Sequence, residues 1–323
     1  MREPIRETQF VEEWIDMTPK IPVPKIDWIR EKKLDMAYGD DPLQRLDIYY
    51  PNDTKRQRYP VLILVHGGGF THCDKRDWHL YPGFHALGEG FALASVNYRL
   101  APRCPFPAAP DDVKAATAWL RRNAGELQLD EQNFFLYGTS AGGNLVAYAG
   151  LDGSASRGTV CDYHVNAVAS LCPGINFKDW IEQTPWYLRL LPSMCRTLRG
   201  YLGGDPRRFP ELAARASADE RIAPNPPAFY IQHGEKDPLV SVKQSVDFYE
   251  KLKASGYFKE GDLVLDILKD TPHAGAGPQF LEPLNVMPIL RFFQKHMEPL
   301  KKESAVSAER EITYRKDGRR EEF

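Results

Sequence analysis

This sequence has no apolar run suited to crossing a bilayer. Its one charge-free stretch of sufficient length, residues 132–151, carries two Asn, Thr139, Ser140 and four Gly, which hydrocarbon would not stabilise. It also lacks an excess of either charge. Forty-two Lys and Arg against 44 Asp and Glu leave a net charge of -2, too weak a field to hold a phosphate backbone or an anionic lipid surface. Nucleic acid and stable membrane insertion are therefore not expected. Cysteine is scarce and unpaired in pattern: Cys73, Cys104, Cys161, Cys172 and Cys195 are odd in number, form no CxxC, and have no His at zinc-ligand spacing. No metal is expected. The first 20 residues, MREPIRETQFVEEWIDMTPK, lack the apolar core of a secretory signal, so a cytoplasmic location with free thiols is the expectation.

What the chain does have is a globular composition, 42% hydrophobic and 27% charged over 323 residues, enough to bury a large core. At roughly 150 residues per domain, that length would allow two domains. Short apolar runs at residues 45–50, 61–65, 92–97, 133–137, 167–171, 228–232 and 263–268 read as strands. Between and after them, residues 111–122, 241–254 and 284–296 carry helical periodicity. The alternation predicts an α/β fold, a mostly parallel sheet flanked by helices. Residues 1–40 precede the first of these strands. Residues 177–225, containing Trp180, Trp186 and Tyr201, form too long an excursion for a structureless loop and read as a helical insertion. The spacing of its apolar residues fits a cap over a site and core packing equally well. Residues 301–323 hold seven basic and six acidic residues, a charged tail.

Gly138-Thr139-Ser140-Ala141-Gly142 matches G-x-S-x-G between a strand and a helix-compatible run. A serine on such a sharp turn needs small neighbours to project its hydroxyl, and this context points to a nucleophile. His66-Gly67-Gly68-Gly69 follows another strand. Three glycines in a row cost backbone entropy, so their use implies close approach to the backbone, as by a developing oxyanion. The expected donors are the amides of Gly68, Gly69 and Ala141, with Gly67 less suited. A base must follow in the order Ser, Asp or Glu, His. Of His164, His233, His273 and His296, His273 stands in a loop just past the last strand and is the expected base. For the acid, Asp237 in His233-Gly234-Glu235-Lys236-Asp237-Pro238 is favoured over Glu235 and Asp270, since Pro238 fixes the chain beside it. Phe70, Trp78 and Trp186 are candidates for lining a substrate pocket, with packing as the alternative for the large aromatics. Asp74-Lys75 reads as a support for the glycine loop.

Together, HGGGF at 66–70, NYRLAPRCPFPAAPDD at 97–112, GTSAGGN at 138–144 and HGEKDPLV at 233–240 resemble α/β-hydrolase serine esterases of the hormone-sensitive-lipase-like group. The chain is similar also to the bifunctional feruloyl and acetylxylan esterase family, over about residues 42–297. The resemblance implies carboxylic ester hydrolysis without metal or organic cofactor, a small-molecule ester as partner, and the triad Ser140, Asp237 and His273. Thr139 stands where many members have Asp, and Ala274 where many carbohydrate esterases have Gly after the histidine. Because His66 and Ser140 lie in one half and Asp237 and His273 in the other, both halves must build one site. A single domain over 1–300 is expected, capped by helical material from 1–40 and 177–225. The rival readings are a peptidase of the prolyl oligopeptidase type and a non-catalytic binding protein on the same scaffold.

Overall fold

The computed structural model describes residues 21–52, 56–154, 163–184, 192–205 and 207–299. Trp186, Cys161, the first 20 residues and the tail from residue 301 lie outside them. Eight strands form one sheet: β1 (Lys32–Ala37), β2 (Arg45–Tyr49), β3 (Tyr59–Val65), β4 (Ala92–Val96), β5 (Leu129–Thr139), β6 (Ala167–Leu171), β7 (Ala228–Gly234) and β8 (Leu263–Leu268). Their order is β1-β2-β4-β3-β5-β6-β7-β8. β2 is antiparallel to β1 and β4, and every other pair is parallel.

Parallel strands covered on both faces should read as continuous apolar runs, and β3, with all seven residues of YPVLILV buried, does so. Its side chains alternate between two cores. Tyr59, Val61, Ile63 and Val65 point into one core, shared with helices α2 (Ala108–Arg122), α3 (Ala141–Ser154) and α7 (Lys243–Ala254). Leu62 and Leu64 point into the other, shared with α1 (Tyr81–Gly88) and α8 (Pro283–Lys295). The insertion is helical as expected, with α4 (Phe177–Gln183), α5 (Pro192–Leu202) and α6 (Pro210–Ala216) between β6 and β7. No helix among the described residues is long and apolar enough to cross a membrane.

Two elements differ from the sequence reading. Residues 32–37, assigned above to a leading cap segment, are the edge strand β1. Its sequence KKLDMA is too polar to look like a strand, yet charge is how an open sheet edge is protected from pairing with another chain. Asp35 on it accepts from Lys75 Nζ at 2.8 Å and from Arg76 Nη2 at 2.7 Å. The helix α1 also went unread, because YPGFHALG starts with Pro82 in its first turn and has weak periodicity.

The connection between the insertion and the glycine loop is aromatic. Phe70, 1% exposed, stacks on Tyr201 of α5 with ring centroids 3.7 Å apart, and Phe177 packs 5.5 Å from Tyr201. We expect Phe70→Ala to lower unfolding free energy by about 3–5 kcal/mol, read as a shift of the urea midpoint at unchanged slope. A loss under about 1 kcal/mol would mean that this stack does not anchor the insertion.

Candidate active site

Parallel strands end at one edge of the sheet, and the loops leaving that edge converge where ligands bind in open α/β folds. Four such loops matter here, after β3, β5, β7 and β8. Ser140 follows β5 and holds φ 57°, a left-handed conformation costly for a side chain and typical of a sharp nucleophile turn. Its amide donates to Leu171 O at 2.8 Å, tying the turn to the neighbouring strand β6. Gly142 explains the tight fit: a Cβ there would lie 2.2 Å from Val65 O, so the start of α3 rests directly on the end of β3. That contact sets the glycine loop beside Ser140.

The loop after β8 brings His273 Nε2 to 2.9 Å from Ser140 Oγ. The loop after β7 brings Asp237 Oδ2 to 2.5 Å from His273 Nδ1. The other oxygen of Asp237, Oδ1, accepts the amides of Leu239 and Val240, each at 2.9 Å. All three residues expected from the sequence thus meet in one line of hydrogen bonds. Burial opposes the Asp237 charge, but the neighbouring His273 and a hydrogen bond from His233 outweigh it and hold the carboxyl well below its ordinary range. Burial likewise opposes a charged His273, yet the Asp237 carboxylate, with Cys172 adding to it, raises the imidazole well above 6.5.

Gly68 and Gly69 take φ 94° and 56° and stay half-exposed, while Gly67 is buried. The amides of Gly68, Gly69 and Ala141 donate to no acceptor among the described residues. The loop is braced from below by Tyr98, whose hydroxyl donates to His66 O at 3.0 Å and to Gly67 O at 3.1 Å, and whose ring stacks on His66 at 4.4 Å. Burial pushes His66 down to about 4, so it is neutral and structural.

The remaining candidates separate cleanly. Phe70 is packed against Tyr201 with 1% exposure, so in this structure it supports the glycine loop rather than lining an open pocket, as the packing alternative had it. Trp78 is half-buried beside Gly275 on the His273 loop, where a Cβ on that glycine would meet its ring at 2.9 Å. Trp186 lies outside the described residues. Glu235 accepts the Asp270 amide and Asp270 pairs with Lys236, both away from the triad. His164 approaches Arg121, and His296 pairs with Asp262. Arg99 forks onto Asp112, and Lys75 reaches Asp35 while its amide donates to Asn97, so both serve as scaffold.

Two residues escaped the sequence reading. His233 was weighed only as a base, yet its Nε2 sits 3.2 Å from Asp237 Oδ2 and its Nδ1 2.7 Å from Ser245 Oγ, beneath the acid. Cys172, buried and at φ 39° just past β6, lies with Asp237 and His273 so that one side-chain atom of each falls within 4.8 Å of the others. Position just past a strand at the same sheet edge was the available signal for Cys172.

The BD-FAE family model matches residues 46–252. The chain belongs to the BD-FAE family. This BD-FAE chain is 31% identical over 252 residues to esterase LipC of Mycobacterium tuberculosis, covering 76% of this chain and 60% of that one. It is 39% identical over 196 residues to carboxylesterase NlhH of the same organism, covering 59% and 60%. The match therefore spans less than two thirds of the length of these relatives. Among solved structures, a truncated carbohydrate esterase from gut microbiota aligns with a TM-score of 0.71 at 22% identity, covering 85% of this chain and 99% of that one. An arylesterase aligns at 0.68 and 23% identity, covering 91% and 93%. At such identities the likeness is one of fold, and the BD-FAE chain has the α/β-hydrolase fold.

Proposed function

We propose that this BD-FAE chain hydrolyses carboxylic esters through an acyl-enzyme on Ser140. The observation that carries this reading is the line from Ser140 Oγ through His273 to Asp237, at 2.9 and 2.5 Å, ending at a half-exposed serine beside unused amides. His273 Nε2 takes the hydroxyl proton as Oγ attacks the ester carbonyl, while Asp237 holds the proton on Nδ1 and stabilises the charged ring. The carbonyl oxygen becomes an oxyanion within reach of the Gly68, Gly69 and Ala141 amides. The alcohol leaves with the proton from His273, and water, activated by the same ring, cleaves the acyl-enzyme. The esterase names of LipC and NlhH support the reaction class.

The substrates proposed are small or short-acyl esters, with acetyl or feruloyl esters of carbohydrates among them. Support comes from the insertion, since Thr197 on α5 closes on one flank of the glycine loop: a Cβ on Gly69 would lie 2.9 Å from its Cγ2. The carbohydrate esterase of the same fold is a further reason to include sugar esters. A panel of p-nitrophenyl esters from acetyl to decanoyl, with acetylated xylo-oligosaccharides and methyl ferulate, tests this. The highest kcat/KM should fall on acetyl or butyryl, and a maximum at decanoyl would overturn the short-acyl reading.

The pH profile has a definite sign. His273 works as a base only when neutral, and Asp237 raises its pKa above 6.5 against the opposing effect of burial. Activity should therefore be lost as pH falls through that raised value, with the midpoint of the acid limb of kcat/KM above 6.5. A midpoint below 6 would mean that burial, not Asp237, dominates the imidazole.

A further inference from the structure

One residue of the insertion stands against the oxyanion loop without serving in the chemical steps above. The three atoms nearest to where a Cβ on Gly69 would lie are Thr197 Cγ2 at 2.9 Å, Thr197 Oγ1 at 3.9 Å and Thr71 Oγ1 at 4.0 Å. The methyl of Thr197, rather than its hydroxyl, therefore faces the loop. Its helix α5 is firmly seated. Tyr201, one turn further along, stacks on Phe70 at 3.7 Å, and its carbonyl accepts the Phe106 amide at 2.6 Å. Leu198 and Leu202 are buried in the core beneath, and the points that a Cβ would take on Gly200 and Gly203 lie 3.6 and 3.5 Å from Pro102 and Pro105. These contacts make α5 a fixed wall, on which Thr197 is half-buried like Gly69 opposite it.

We propose, resting on the acyl-enzyme reading above, that the methyl group of Thr197 sets the acyl-length preference by limiting the room for the chain beside Gly69. His273 must protonate the leaving oxygen, so the alcohol of a bound ester lies toward the loop after β8. The acyl chain takes the other direction, along the glycine loop. Gly67 marks the near end of that path, since a Cβ on it would lie 3.2 Å from Ser140 Cβ, and Gly69, two residues on, marks the end against α5. A chain bonded to the carbonyl carbon starts one bond from the oxyanion that the Gly68 and Gly69 amides hold. An acetyl group stops there, whereas each added methylene has to pass the Thr197 methyl. Thr71, the other neighbour of Gly69, is tied to its own loop: Oγ1 donates to Gly68 O at 3.4 Å and lies 3.0 Å from His72 Nδ1. The restriction at position 197 is therefore one of shape, not of hydrogen bonding.

Two substitutions in the full chain separate shape from polarity. Thr197→Ser deletes the methyl and keeps the hydroxyl, whereas Thr197→Val keeps that methyl and replaces the hydroxyl. The readout is kcat/KM for p-nitrophenyl octanoate divided by that for the acetate. Thr197→Ser should raise this ratio about tenfold, the low end of what one methylene is worth in a substrate pocket. Thr197→Val should leave it near the wild-type value, and Thr197→Leu, which adds bulk, should lower it. Naphthyl acetate relative to p-nitrophenyl acetate varies only the alcohol and should not change in any of the three. An unchanged octanoate-to-acetate ratio in Thr197→Ser, with or without a uniform loss of rate, would mean that the methyl only packs the loop and would overturn the proposal. A change confined to the alcohol series, or a ratio raised equally in Thr197→Val, would do the same. Failure of the esterase reading looks different and removes this proposal with it: wild type then cleaves none of these esters, and a fluorophosphonate leaves Ser140 unlabelled.

Discussion

Ser140→Ala is expected to lower kcat for p-nitrophenyl acetate by about 10⁶-fold, the scale reached when a serine nucleophile is removed from a complete triad. The fold should survive. Ser140 Oγ makes its hydrogen bond to His273, whereas the backbone contact that ties the turn to Leu171 involves only the amide, which alanine keeps. Loss of activity with an unchanged melting transition therefore assigns the effect to chemistry. Turnover within tenfold of wild type would remove Ser140 from the mechanism, whatever the stability.

Asp237→Asn should be nearly as severe, with kcat down by about 10⁴-fold, as found for the equivalent change in a serine protease triad. The reason here is the direction of the hydrogen bonds. Oδ1 accepts two amides, from Leu239 and Val240, so an asparagine must keep its carbonyl oxygen there. Its NH₂ then faces His273 Nδ1, which has to accept rather than donate. The ring proton moves to Nε2, the atom that must receive the proton of Ser140. The variant also loses the charge that raises His273, so the acid limb of whatever activity remains should move to lower pH. A kcat within tenfold of wild type, with the acid limb in place, would mean that Asp237 does not orient the base.

The fold and the triad could be read from sequence for a shared physical reason. Buried parallel strands must be apolar, and the groups that meet at their ends must lie in the loops just after them. Ser140, Asp237 and His273 each follow such a strand, so their placement followed from the pattern. Residues whose roles depend on distant partners were not legible. Phe70 looked like a pocket residue because its packing partner Tyr201 is on α5, in an insertion whose position no local pattern encodes. His233 looked like a failed base because its value lies in holding Asp237, a contact that the turn at 233–237 creates only when folded. The strand Lys32–Ala37 was hidden by its own charge, which an edge strand needs.

The central claim is that one serine is made nucleophilic by His273 and Asp237. Treatment with a fluorophosphonate, followed by peptide mapping, tests it without any choice of substrate. The expected result is one covalent adduct, on the peptide bearing Ser140, absent from Ser140→Ala and formed much more slowly in Asp237→Asn. A folded wild-type chain that stays unlabelled, or that carries the label elsewhere while Ser140 remains free, would contradict it.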